Sequence, residues 1–295
     1  MADAWVATVG QGLWHSDDDL ERWRPVGDVP ADARVYALIP DVAGGDGAVW
    51  LRQKARWRRR ALPDPDAQVW SLALDPRAPE TIYAGCRPLA LWRSQDAGET
   101  WDALSLALPP DTPRPHTPRI TTILVEAGAL WCGVEVGGVF RSEDGGKHWT
   151  ADNAGLPSLD VHALLRARDG ALLAALPNGL ARHAGRWARA ELRTPWAYCR
   201  ALAAADGDML CGFGDGPPGQ RGAVAVSEDA GRTWHSTLFP GTAGSTVWSM
   251  SVAGDEALAA AIGGELFASD DGGRAWRRLS RRFDEIRAVV LTRGE

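Results

Sequence analysis

The chain has 295 residues and a formal net charge of −6, with a pI near 5.6. That balance argues against broad binding to a phosphate backbone, which needs a basic face, so nucleic acid is not an expected partner. No apolar run approaches the length of a membrane span. The N-terminus, MADAWVATVGQGLW, has no basic region followed by a long apolar stretch. It therefore carries no expected signal peptide, and the chain reads as a cytoplasmic monomer without membrane contact. Cys86, Cys132, Cys199 and Cys211 read as small buried hydrophobes rather than disulfides or ligands. The six histidines show no HxH or HExxH spacing, so neither metal nor cofactor is expected.

Taken in chain order, the predicted elements repeat. A strand at Trp5 to Val9 and another at Leu13 to His15 lead into the octapeptide SDDDLERW, Ser16 to Trp23. An inner-strand run of the form apolar-x-small-apolar follows at Val35-Tyr36-Ala37-Leu38. Then comes a shortened turn ending at Trp57. The inner run returns at Val69-Trp70-Ser71-Leu72, and SQDAGETW spans Ser94 to Trp101. The pair recurs as Ile120-Thr121-Thr122-Ile123 with Ser142 to Trp149. It recurs as Val161-His162-Ala163-Leu164 with a shortened turn ending at Trp187, and as Cys199-Arg200-Ala201-Leu202 with Ser227 to Trp234. The last pair is Val247-Trp248-Ser249-Met250 with Ser269 to Trp276. A seventh inner run, Ile286-Arg287-Ala288-Val289, stands alone at the C-terminus.

Four of the five octapeptides read Ser-x-Asp-x-Gly-x-x-Trp; in the remaining one, Ser16 to Trp23, Leu20 replaces the Gly. An Asp that accepts turn N–H groups, a Gly for positive φ and a Trp opening the next strand make a hairpin turn with an apolar anchor. Seven units in this length give ~42 residues each, the period of four-stranded propeller blades. The fold class is therefore all-β, a seven-bladed β-propeller in one domain, 1–295. The solitary C-terminal run must pair with the N-terminal strands, so blade one is 286–293 plus 4–26. Closure of this kind leaves only short, protected sheet edges. Blade two is compact, with eighteen steps from Val35 to Gln53 against twenty-two in blades four, five and seven. One of its strands is expected to be short or absent.

The second residue of each inner run should stand at the channel mouth opposite the Ser-to-Trp turns. Around the ring these are Arg287, Tyr36, Trp70, Thr121, His162, Arg200 and Trp248. Neighbouring positions are filled alike from unit to unit, and this column is not. Aromatics stack flat ligands or sugars and arginines grip carboxylate or phosphate. The same residues would equally plug a wide channel through packing and cation–π pairs. The loops Leu106 to Pro118, with His116, and Asp215 to Arg221 flank the same face. Glu135, Asp160, Asp215 and Asp284 lie near it too, and any two at ~5–9 Å would suit acid–base work. The basic run Arg52 to Arg60 reads as an exposed outer hairpin facing the acidic turn Asp17-Asp18-Asp19 rather than as a nucleic-acid patch.

The repeated Ser-x-Asp-x-Gly-x-x-Trp resembles the BNR or Asp-box repeat. That family includes sialidases, xyloglucan-degrading glycosidases, sortilin-type receptors and photosystem II assembly propellers. Sialidases have six blades, an arginine triad and an Arg-Ile-Pro segment, where this chain has Arg34-Val35-Tyr36. The xyloglucan enzymes resemble two clasped rings with one catalytic Asp from each, and this chain has one ring. The resemblance implies a single-ring binding propeller. The expected function is a ligand-binding protein holding a small anionic or sugar-like molecule at the mouth. Two alternatives stay open: a glycosidase-like hydrolase or lyase acting on a carbohydrate-like substrate, and a scaffold or assembly factor docking a protein on the same face.

Overall fold

A computed structural model describes residues 2–17, 20–110, 112, 115–126, 128–205 and 207–293. Its strands form seven separate sheets arranged as a seven-bladed β-propeller. Blade one takes its inner strand from the end of the chain. Glu285–Arg293 pairs antiparallel with Ala2–Val9, from Ala2↔Arg293 to Val9↔Glu285. Leu13–Ser16 and the two-residue strand Arg24–Pro25 complete it. The expected closure of the ring is thus present.

In blade two, where the sequence predicts a short or absent strand, none is absent and the second, Val42–Gly45, is short at four residues. The blade has four: Val35–Ile39, Val42–Gly45, Ala48–Gln53 and Arg56–Ala61. Its brevity lies in that short strand and in the turns. Asp41 at φ 64° and Gly47 at φ 58° take left-handed conformations that reverse the chain in about two residues. Blade six carries a fifth strand. Glu191–Arg193, from the connection after blade five, pairs parallel with the outer strand Thr233–Ser236.

The core is divided into seven apolar wedges, each between neighbouring blades. One joins Val6 and Leu20 of blade one to Leu266 and Leu279 of blade seven. Another joins Trp50 and Trp57 of blade two to Trp5 and Val29 of blade one. The second strands are small-residue runs buried along most of their length, such as Leu172–Leu176 and Glu256–Ala261. Small side chains let adjacent sheets approach near the axis, while tryptophans fill the wider outer gap.

The octapeptide turns hold this packing in a repeated geometry. In the turn Ser227 to Trp234, Ser227 Oγ accepts the Gly231 N–H at 2.9 Å and donates to Asp229 Oδ1 at 2.8 Å. Asp229 Oδ1 also accepts the N–H groups of Arg232 at 3.0 Å and Thr233 at 2.9 Å. The indole N–H of Trp234 donates to the Gly231 carbonyl at 3.1 Å. The fourth and fifth residues are both left-handed: Ala97 and Gly98, Gly145 and Gly146, Ala230 and Gly231, Gly272 and Gly273. Leu20 keeps φ at 59° where the first turn lacks its Gly. A Cβ on Gly146, Gly231 or Gly273 would come within 2.7 Å of Leu104, Leu173 or Leu210 of the preceding blade. The turn thus needs Gly for inter-blade contact as much as for φ. Arg232 and Arg274 then reach back to Asp169 and Asp208 of the preceding blades. All four cysteines are buried free thiols, and burial pushes Cys86 up to about 12.

Candidate functional site

Six of the seven inner strands carry a register shift at the varied residue. The ladder skips Tyr36, Trp70, Thr121, Arg200, Trp248 and Arg287. A bulge leaves its extra residue unpaired and re-aims its side chain. Here it turns each one toward the axis. His162 sits one residue before its strand begins, held by its N–H to the Ala175 carbonyl at 2.9 Å. All seven residues named from sequence line one axial cavity of about 170 Å³. That cavity continues past them to Thr122, Ala163, Leu202 and Met250, further along the inner strands toward the octapeptide face.

The column builds a stack across the channel. Arg200 lies over the Trp248 ring at 3.9 Å, and Arg287 lies 5.1 Å from Trp248 and 5.0 Å from Trp70. Trp70 stacks on Tyr36 with centroids 5.2 Å apart, and Arg119 covers Trp70 at 3.9 Å. Each indole therefore meets guanidinium groups on its face, the favoured cation–π geometry.

A second column, two residues before the first, escapes the sequence reading. It holds Arg34, Gln68, Arg119, Asp160, Tyr198, Thr246 and Glu285. Strand alternation places i−2 on the same side as i, and that periodicity is the signal that could have found it. Arg34 lies over Tyr36 at 5.6 Å. Gln68 donates to Tyr36 Oη at 3.0 Å, and Tyr36 Oη donates to Asp46 Oδ1 at 3.1 Å. Tyr198 packs on His162 at 4.8 Å. Thr246 donates to the Gly216 carbonyl at 2.5 Å, and Glu285 pairs with Arg287.

Glu135 is the hinge of the charge network. Arg119 donates to it through Nε at 2.8 Å and Nη2 at 2.6 Å, and Arg200 Nη1 reaches its Oε2 at 3.3 Å. Burial pushes this carboxyl up, but Arg200 and Arg119 outweigh it and hold Glu135 below the ordinary range. Burial likewise acts upward on Asp160, and the His162 ring overcomes it. His162 donates from Nδ1 to the Cys199 carbonyl at 2.6 Å; burial first, then Arg200, lowers its pKa. Burial lowers both Arg119 and Arg287. Tyr36 is raised to about 12 by burial and Asp46. Both carboxylates at the axis are thus held below the ordinary range, Glu135 by two paired guanidinium groups, and neither is poised as a proton donor.

The Nε of Arg287 is buried without a hydrogen-bond partner. Above the stack, Arg119, Trp248 and Arg287 floor a groove of about 480 Å³. Pro217, Pro218, Ile262, Asp284 and Glu285 form its walls. The loop Asp215 to Arg221 contributes its prolines, while Asp215 itself caps the loop by accepting the N–H groups of Gln220 and Arg221. His116 brings its loop to the site, with Nε2 3.7 Å from Glu135 Oε1.

No family model matches the chain. It is 30% identical over 235 residues to the photosystem II assembly lipoprotein Ycf48 of Synechococcus sp. (strain CC9902), covering 75% of this chain and 66% of that protein. The chain thus spans just under two thirds of the relative's length. Ycf48 bound to a D1 peptide superposes with a TM-score of 0.59 at 17% identity, over 83% of this chain and 82% of the other. The GH74 enzyme of Niastella koreensis superposes at 0.60 with 13% identity, over 98% of this chain and 66% of that one. At these identities the solved structures show the propeller fold. That the relative is a lipoprotein overturns the expectation of a cytoplasmic protein, which rests on the composition of the first residues alone.

Proposed function

We propose that this propeller is a protein-docking scaffold of the assembly-factor kind, built on Asp-box-type turns, with its partner segment held at the channel mouth opposite those turns. The observation that carries the reading is the groove of about 480 Å³ at the mouth, where Trp248, Pro217, Pro218 and Ile262 lie beside Arg119, Arg287, Asp284 and Glu285. Trp248, Pro217, Pro218 and Ile262 supply the apolar surface that a partner side chain would cover. Arg119 and Arg287 are already paired with Glu135 and Glu285, so the apolar surface rather than charge selects the occupant.

The column residues then divide their work. Trp248 and Arg287 face the groove, and Arg200, Trp70, Tyr36, Thr121 and His162 brace them from within. Two observations weigh against the reading as a receptor for a small anionic or sugar-like molecule. The axial cavity is below the several hundred Å³ usual for such ligands, and its aromatic faces are already covered by guanidinium groups. Glu135 and Asp160, both held below the ordinary range, weigh against glycosidase-like chemistry, which needs a carboxyl kept protonated. The likeness to an assembly protein supports docking.

A photo-crosslinking residue at exposed Pro218 tests this, with Thr100 on the opposite face as control. A discrete adduct is expected from Pro218 only, and Arg287→Ala should remove it while leaving the unfolding midpoint within a few degrees. Equal labelling from both positions, or an adduct indifferent to Arg287→Ala, would remove the mouth from consideration.

A further inference from the structure

Propeller outer strands are sheet edges, and proteins keep exposed edges short. This chain follows that rule in most blades, with outer strands of two or three residues in blades one, three, four and five. Blade six covers its outer edge with Glu191–Arg193. Blades two and seven depart from it, each with a six-residue outer strand, but Arg277–Arg282 of blade seven pairs with a break in register. Arg56–Ala61 is six residues long, pairs in unbroken register with Ala48–Gln53 and, among the described residues, has no strand on its outer side.

The hydrogen-bonding phase of this strand is fixed by two observations. The Trp57 N–H donates outward to Asp28 Oδ2 at 2.9 Å, and the Leu62 N–H donates inward to the Gly47 carbonyl at 3.0 Å. Antiparallel pairing alternates, so the N–H groups of Trp57, Arg59 and Ala61 all point to the open edge. Among the described residues only that of Trp57 is taken. Its partner shows what the edge recognises. Asp28 caps the N–H while Arg56 grips the same carboxylate through Nε at 2.9 Å and Nη2 at 2.6 Å. Arg60 is committed to Glu99 at 2.7 Å. Arg58 and Arg59 are exposed, and neither forms an ion pair with a carboxylate among the described residues. They project to opposite faces of the strand, along a depression of about 500 Å³.

We propose that Arg56–Ala61 is a docking edge for an extended acidic segment of a partner protein, which adds as a fifth strand with its carboxylates on Arg58 and Arg59. Blade six shows that the fold accepts a fifth strand on an outer edge. The Asp28 contact is an intramolecular sample of the chemistry. Edge addition gives affinity through the main chain and specificity through side chains. This surface lies on the rim and is independent of the mouth.

Fluorescence anisotropy with a labelled peptide Val-Glu-Glu-Val-Glu-Thr tests it, beside a control of equal charge in which both valines are replaced by proline. Saturable binding is expected for the first peptide only. The double variant Arg58→Ala/Arg59→Ala should weaken it about tenfold or more. Ala61→Pro removes one outward N–H and no charge, and should also weaken it about tenfold; its unfolding midpoint reports whether the strand survives. Should Ala61→Pro fail to fold, the proline control and the arginine variant decide. Absence of saturable binding would mean that the arginines only guard the edge. Equal binding of the proline control, or full affinity in folded Ala61→Pro, would mean nonspecific charge attraction. Either result overturns the proposal.

Discussion

Gly231→Ala separates the two reasons for glycine in the octapeptide turn. Gly231 has φ 83°, which costs an L-residue about 1 kcal/mol. Its Cβ would also stand 2.5 Å from Leu173 Cδ2, a fully packed side chain of the preceding blade. Overpacking of that kind costs about 1–3 kcal/mol, for a total of about 2–4 kcal/mol. Gly185 supplies the control, since it has φ 90° and a Cβ added there would meet nothing within 4 Å. Gly185→Ala should lose only the backbone share, about 1 kcal/mol. Urea unfolding followed by tryptophan fluorescence measures both, with m unchanged if the compactness of each state is unchanged. Leu173→Ala should offset part of the Gly231→Ala loss, with a coupling of about 1–3 kcal/mol. Equal losses at Gly185 and Gly231, together with no coupling to Leu173, would show that the glycine serves φ alone and that the turn does not brace adjacent blades.

Burial pushes Asp229 up, but its bonds from Thr233, Ser227 and Arg232 win and bring it from 3.8 to about 2. A folded-state pKa below the unfolded one gives stability that is present above pH ~4 and lost as pH falls toward 2. For so exposed a group this is about 1 kcal/mol after solvent screening; thermal midpoints of wild type and Asp229→Asn should converge across that window, and a constant gap would contradict it. Glu135→Ala leaves Arg119 and Arg200 buried without their shared carboxylate, so urea unfolding should register a loss of about 3–5 kcal/mol, and a loss under 1 kcal/mol would deny the network a structural part. Removing Glu285–Arg293 strips the inner strand from blade one and exposes the edge of Ala2–Val9; size-exclusion chromatography should show self-association, and a well-behaved monomer would mean that the ring closes by other contacts.

The architecture is legible in the sequence because its signals are local. Ser, Asp and Gly at fixed spacing are dictated by three hydrogen bonds and two left-handed residues within one turn. The lone run at Ile286 and the unpaired strands near Trp5 can only be completed by each other. Blade two keeps all four strands despite its brevity because its second strand has only four residues and the turns at Asp41 and Gly47 reverse the chain at once. The basic run is an outer hairpin, as its composition suggests, and of the acidic turn expected to face it only Asp17 lies within the described residues. Arg56 meets Asp28 and Asp17 pairs with Arg24, while Asp18 and Asp19 lie outside the described residues. That pairing depends on how the connection after blade one crosses the rim, which no periodicity encodes.

At the axis, the same limit acts differently. Equivalence between units locates Tyr36, Trp70, Thr121, His162, Arg200, Trp248 and Arg287, and the structure brings all seven to one cavity. It gives no warning that most are occupied with one another, because cation–π and carboxylate partners come from neighbouring blades. Plug and site are therefore not rival descriptions of the whole column. Arg200, held by Glu135 and Trp248, has its chemistry satisfied and stiffens the floor. Arg287, its plane shared between two indoles and its charge paired with Glu285, lines both the axial cavity and the groove. A partner that reaches Arg287 meets a guanidinium already fixed in orientation and loses little side-chain entropy in binding. The plug thereby preorganises a residue of the groove floor.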